Sequence, residues 1–182
     1  MKRILLAAAL GLSATLAGAP GASASASAPG TPFGPGCPAS SQSDVAAIAG
    51  KPVVAAASQV NELSTLVSAI KQAGLTDKLN SAQDITVFAP TDQAFAAVPK
   101  ETLSAVLADR QALTKILTYH VTEGRQAPGD LADARLTTLE GGTVHVKGAG
   151  ENYTVNQAKV LCGNVPTSNA SVYVIDKVLM PE

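Results

Sequence analysis

The stretch Ile85 to Phe95, ITVFAPTDQAF, decides how this chain is read. Ile85-Thr86-Val87-Phe88-Ala89 is a nearly continuous apolar run of strand length, and Pro90 ends it. Thr91 or Asp92 then stands where an N-cap is needed for a helix carrying Ala94 and Phe95. A strand that turns at once into a helix leaves backbone N–H groups and small polar side chains at the junction, which suits a contact site. The same corner is also what a purely structural helix start requires, and the stretch alone does not choose between the two.

Upstream of this corner the period is helical. Ser43 is placed to cap a short turn with Val45, Ala46, Ile48 and Ala49, stopped by Gly50, and Pro52 opens a second helix through Ser58. Asn61 is the expected cap of the clearest helix, in which Leu63, Leu66, Val67 and Ile70 recur at i, i+3, i+4, i+7 before Gly74 closes it. Leu75 and Leu79 make a further turn. Downstream, Pro99 opens a helix with Leu103, Val106 and Leu107 on one side, and Asp109 caps another with Leu113, Ile116 and Leu117.

Near Arg125 the period changes to two. Residues 136–139, 143–147, 153–156, 158–162 and 171–180 read as strands separated by glycine-containing turns. Val144 and Val146 oppose Thr143, His145 and Lys147, so these strands should be antiparallel with one wet face. Val172 to Leu179, VYVIDKVL, is apolar on both faces and should be a central strand beside residues 86–89. Helices first and strands second, without internal repeats, define an α+β domain over residues 43–182.

The 182 residues are 46% hydrophobic and 15% charged, enough for one domain with a core. Aromatics are 3% with no Trp, which argues against a surface that stacks bases or sugars on rings. Residues 1–28 have the form of an export leader: Lys2 and Arg3, then the apolar run Ile4 to Leu16, then Ala22-Ser-Ala-Ser-Ala-Ser-Ala28 with several A-x-A cleavage sites. The run is short of the ~20 apolar residues that span a bilayer. Residues 29–42 read as an extended Pro/Gly-rich linker containing Cys37. Cys37 does not directly follow the apolar run as a lipid-anchored cysteine would, so free export is expected. Losing Lys2 and Arg3 leaves 11 of the 13 basic residues against 14 acidic ones, a net charge of −3, which offers nothing to nucleic acid or anionic lipid. In an exported chain the two cysteines are most simply one disulfide, Cys37–Cys162; a metal-binding or nucleophilic thiol is the rival.

Catalytic constellations are sparse. His145 lies on the polar side of a strand, and His120 ends an apolar helix after Tyr119, where a buried, hydrogen-bonded histidine is expected before a catalytic one. No G-x-S-x-G elbow, phosphate-binding glycine loop, Asp-x-Asp-x-Asp-Gly loop or His/Cys cluster is present. The reading is therefore non-enzymatic, with no catalytic residues, cofactor or metal. Asn152-Tyr-Thr154 and Asn169-Ala-Ser171 fit the N-glycosylation pattern.

Three blocks, TVFAPTDQAF, Tyr119-His120 and VYVIDKVLMP, occur in the order in which they mark fasciclin (FAS1) domains, and the chain resembles that family from about Val53 to Pro181. With its two cysteines and no lipid-anchor signal, it is most similar to the soluble, secreted bacterial members. The resemblance implies short helices packed on a β-wedge of mainly antiparallel strands, an extracellular location, and cell adhesion or another partner interaction without catalysis. In animal fasciclin domains a Tyr-His segment and an Asp-Ile pair before the last block are linked to integrin binding. Tyr119-His120 matches the first, whereas residues 160–171 hold no Asp-Ile pair. The expected partner is a cell-surface or matrix protein or glycan, met by a monomeric chain through Thr91, Asp92, Tyr119 and His120. Thr91 or Asp92 is also placed to hydrogen-bond His120. The alternative function is an extracellular carrier of a small apolar ligand held between the helices and the wedge.

Overall fold

The computed structural model describes residues 31–37 and 47–181. The leader, the Ser43 helix start and half of the linker lie outside that range. The helical half comprises α1 (Val53–Ala57), a 3₁₀ turn (Asn61–Leu63), α2 (Ser64–Ala73) and α3 (Thr76–Ser81). Strand β1 (Ile85–Pro90) follows, then α4 (Asp92–Ala96), α5 (Lys100–Ala108) and α6 (Arg110–Tyr119). The remainder is β2 (Val121–Glu123), a 3₁₀ turn (Pro128–Leu131), β3 (Ala134–Thr137), β4 (Thr143–Ala149), β5 (Asn152–Val155), β6 (Ala158–Pro166) and β7 (Ala170–Ile175). This is the expected α+β arrangement, a wedge of mainly antiparallel strands packed with short helices.

The strand order is β2-β1-β7-β6-β5-β4-β3. All pairs are antiparallel except β1–β7, which runs parallel with Val87 opposite Val172 and Phe88 opposite Tyr173. The two end strands approach each other: Leu139 N–H donates to Val121 O at 2.8 Å and Thr122 bridges Thr138, so the sheet nearly closes on itself. Near-closure removes most exposed strand edge. It also gives the sheet an inside and an outside, and at β1 and β7 both are apolar.

Alternation along β1 and β7 sorts the core into two. Ile85, Val87 and Ala89 of β1, with Ala170 and Val172 of β7, join Leu66, Val67, Ile70, Leu113 and Leu117 beneath the helices. Phe88, Tyr173 and Ile175 point the other way, into the closed sheet with Val144, Val146 and Val155. Two apolar faces are the reason these two segments lack polar alternation in the sequence, and why they sit side by side as interior strands, between β2 and β6. The peripheral strands keep one wet face, as β4 shows, with Val144 and Val146 buried between exposed Thr143, His145 and Lys147.

Two expectations need correction. The segment 31–37 is an ordered strap rather than a free linker. Phe33 exchanges backbone hydrogen bonds with Gly163 at 3.1 and 2.7 Å, and its ring is 5% exposed, packed 5.3 Å from Tyr153 and 6.3 Å from Tyr173, centroid to centroid. Gly163 is required there: a Cβ would lie 2.5 Å from Phe33 Cζ. The Cys37–Cys162 disulfide fixes the strap across a sequence separation of 125 residues. Secondly, Asn61 does not cap α2. It opens a 3₁₀ turn, and the cap comes from a distant carboxylate described below.

Candidate functional site

The strand-to-helix corner forms as its sequence dictates. Thr91 is extended, with φ −71° and ψ 165°, and its Oγ1 accepts from Ala94 N–H at 3.2 Å, capping α4. Asp92 turns elsewhere: one carboxylate oxygen accepts from Ser64 Oγ at 2.7 Å and the other from Thr65 N–H at 2.8 Å. It thus caps α2 from 27 residues away in sequence, where the helix's positive end favours a carboxylate. Burial alone would raise the Asp92 pKa, but the hydrogen bonds from Ser64 and Thr65 outweigh it and hold the group below its usual value.

His120 is 2% exposed. Its Nδ1 lies 2.8 Å from Ile116 O and its Nε2 lies 2.9 Å from Leu179 N. A carbonyl only accepts and an amide only donates, so the ring is neutral with its proton on Nδ1. Burial pushes its pKa down to about 4, with the Ile116 bond opposing. The His120 carbonyl also accepts from Phe88 N–H at 2.8 Å, and Thr91 N–H donates to Ile175 O at 3.2 Å. The three sequence blocks are therefore tied to one another at His120 and the end of β1. Neither Thr91 nor Asp92 bonds the imidazole, which corrects that expectation: both of their side chains are already engaged in capping.

Tyr119 is 5% exposed; its hydroxyl donates to Thr143 O at 3.1 Å and lies 3.5 Å from Asn156 Nδ2. Its ring covers Gly142, where a Cβ would come within 2.7 Å of Cε2. Of the four residues read as partner contacts, Thr91, Tyr119 and His120 are buried and Asp92 is half-buried. The structure brings Tyr119 and His120 together as neighbours and Thr91 close to them through β1 and β7. Of the four, only Asp92 reaches solvent appreciably.

Two recesses flank this knot. One, beneath α5 and α6 and lined by Phe95, Leu103, Leu113, Leu117 and His120, has a volume of about 20 Å³, room for one water. Ligand pockets measure on the order of 300 Å³ or more, so this cavity does not accommodate the apolar cargo considered above. The other is an open polar cleft between β4, the β5–β6 turn and the segment after β7. Tyr119 apart, its polar residues were not legible as a site, because each reads as the ordinary wet face of a strand or turn.

Residues 61–181 match the sequence profile of the Fasciclin domain. The chain belongs to the fasciclin-domain family. Among relatives, it is 43% identical over 165 residues to the immunogenic protein MPB70 of Mycobacterium bovis, covering 85% of this chain and 84% of that protein. It is also 43% identical over 155 residues to the cell surface glycolipoprotein MPB83 of the same species, covering 82% of this chain and 66% of the relative. Among solved structures, the FAS1 domain pair of the insect cell adhesion molecule Fasciclin I aligns with a TM-score of 0.55 at 23% identity. That alignment covers 66% of this fasciclin-domain chain and 46% of the pair, and it concerns the fold alone.

Proposed function

We propose that this fasciclin-domain protein is exported through its residue 1–28 leader and acts outside the cell as a non-catalytic interaction module of the adhesion type. The contact region is the surface over the Thr91-Asp92 corner and the Tyr119-His120 turn, with the buried side chains setting its shape. The observation that carries the non-catalytic reading is His120, the buried one of the two candidate histidines, whose two ring nitrogens are both engaged by backbone groups and so are not free to act as a base. The disulfide suits an oxidising, extracellular setting. The relatives' names, an immunogenic protein and a cell surface glycolipoprotein, support exposure to the outside.

The test is adhesion of the mature chain, immobilised on beads, to host cells and to deposited extracellular matrix. Saturable binding lost on coating the Thr91–Tyr119 face with a site-directed antibody is the expected result. Binding absent from every surface, with folding confirmed by circular dichroism, would count against an adhesion role.

A further inference from the structure

We infer that the polar cleft beside Tyr119 is a binding site for acidic, uronate-bearing glycans. This rests on the interaction-module reading only in expecting an extracellular ligand. The cleft has a volume of about 710 Å³, within the size range of ligand sites. His145 and Lys147 enter it from the wet face of β4, Asn156 and Gln157 from the β5–β6 turn, and Lys177 from the segment after β7. All five are exposed.

The chemistry of the lining is one-sided. Lys147 and Lys177 form no ion pair among the described residues, where the pairs are Lys115–Glu140 and Arg125–Asp84. Glu140, the one acid of the lining, lies 3.5 Å from Lys115, whose ammonium offsets its charge. Asn156 Oδ1 is occupied by His145 N–H at 2.8 Å, and Thr143 O by the Tyr119 hydroxyl. What remains free is chiefly donors: two ammonium groups, an imidazole and the Gln157 amide. On a chain of net charge −1 this is a local excess of positive charge, complementary to carboxylates.

A glycan fits this lining better than a peptide does. β4 is already paired on both sides, by β3 and β5, so no strand edge is offered for an extended peptide to join. Glu140 supplies an acceptor for sugar hydroxyls, while half-buried Val178 and the 40% exposed Met180 give an aliphatic surface for the C–H face of a ring. Two lysines on different elements would then bridge carboxylates on one oligosaccharide.

The experiment is titration of the ¹⁵N-labelled mature chain with hexasaccharides of hyaluronan, heparin and oligogalacturonate, beside neutral chitohexaose and hexaglutamate. At least one uronate oligosaccharide should shift the amides of residues 145–147, 156–157 and 177–180, and K147A/K177A should weaken that binding at least tenfold. K51A/K78A, which removes equal charge elsewhere, should leave it unchanged. No cleft shifts with any of the three, undiminished binding by K147A/K177A, or equal binding by chitohexaose or hexaglutamate each overturns the assignment. Any of these results leaves the adhesion reading standing, because that reading is tested separately by binding of the chain to cells and matrix.

Discussion

Lowering the pH should destabilise this domain through a single residue, His120. The unfolded chain carries a histidine of ordinary pKa, 6.5, whereas in the fold the value is about 4. Below pH 6.5 the unfolded state takes up a proton that the folded state refuses, so stability is complete above 6.5, declines as pH falls, and levels off below about 4. The difference of about 2.5 pH units corresponds to about 3.4 kcal/mol in the limit, of which about 2 kcal/mol is already lost at pH 5. With a urea dependence of about 1–3 kcal/mol per molar, the unfolding midpoint should drop by on the order of 1 M between pH 7.5 and pH 5.0. Asp92 does not contribute in this window, because a carboxylate held below 3.8 loses its stabilising effect only at lower pH. His120→Gln separates the cause from its surroundings: Gln Oε1 can accept from Leu179 N–H, and Ile116 O keeps the backbone N–H of residue 120. This variant should start less stable at pH 7.5 and show little further loss at pH 5.0. Equal wild-type stability at both pH values, or the same loss in His120→Gln, would refute the reasoning.

Other perturbations test other parts of the fold. Cys37→Ser/Cys162→Ser should destabilise by up to about 4–5 kcal/mol, the chain-entropy figure for so long a loop, and a non-reduced peptide map should show the two peptides joined. Gly163→Ala should cost about 1–3 kcal/mol by denaturant titration because its methyl meets the Phe33 ring, and Phe33→Ala in the same background should remove most of that extra cost. Asp92→Ala should cost about 1 kcal/mol through the lost α2 cap, with Ser64 and Thr65 amide exchange accelerated. Expressed in a glycosylating secretory host, the chain should carry glycan at exposed Asn152 and not at Asn169. The Asn169 amide is buried, donating to Leu79 O and Ala82 O at 2.8 Å while its oxygen accepts from Val53 N–H. Mass spectrometry finding glycan on Asn169 of folded protein would contradict that burial.

Much of the fold was readable because local signals and tertiary packing agree. Gly74 at φ 70° closes α2, Asp109 caps α6 through Gln111 and Ala112, and the apolar faces of β1 and β7 place them together as interior strands. What escaped depends on partners distant in sequence. The parallel sense of β1–β7 follows from the route of the intervening chain, which no residue of either strand encodes. β2 is three residues long, too short for a period to show. The packing of the strap did not show because Pro and Gly dominate its composition, and a single buried ring, Phe33, together with the Cys37–Cys162 bond orders it. The site was legible in a different sense. The sequence blocks correctly mark where the elements meet, but a buried tie and a surface contact leave the same residue types behind. Asp92 reads as a local cap and serves a remote one, and Lys147 and Lys177 carry no pattern at all until the fold sets them on one cleft.

The central claim is that His120 is the internal tie between the three blocks, neutral and engaged at both nitrogens. Long-range ¹H–¹⁵N correlation of its imidazole across pH 7.5 to 5 tests this directly. The account predicts the Nδ1–H tautomer throughout, with no titration in that range. A proton on Nε2, or a ring that becomes imidazolium near pH 6.5, would contradict it.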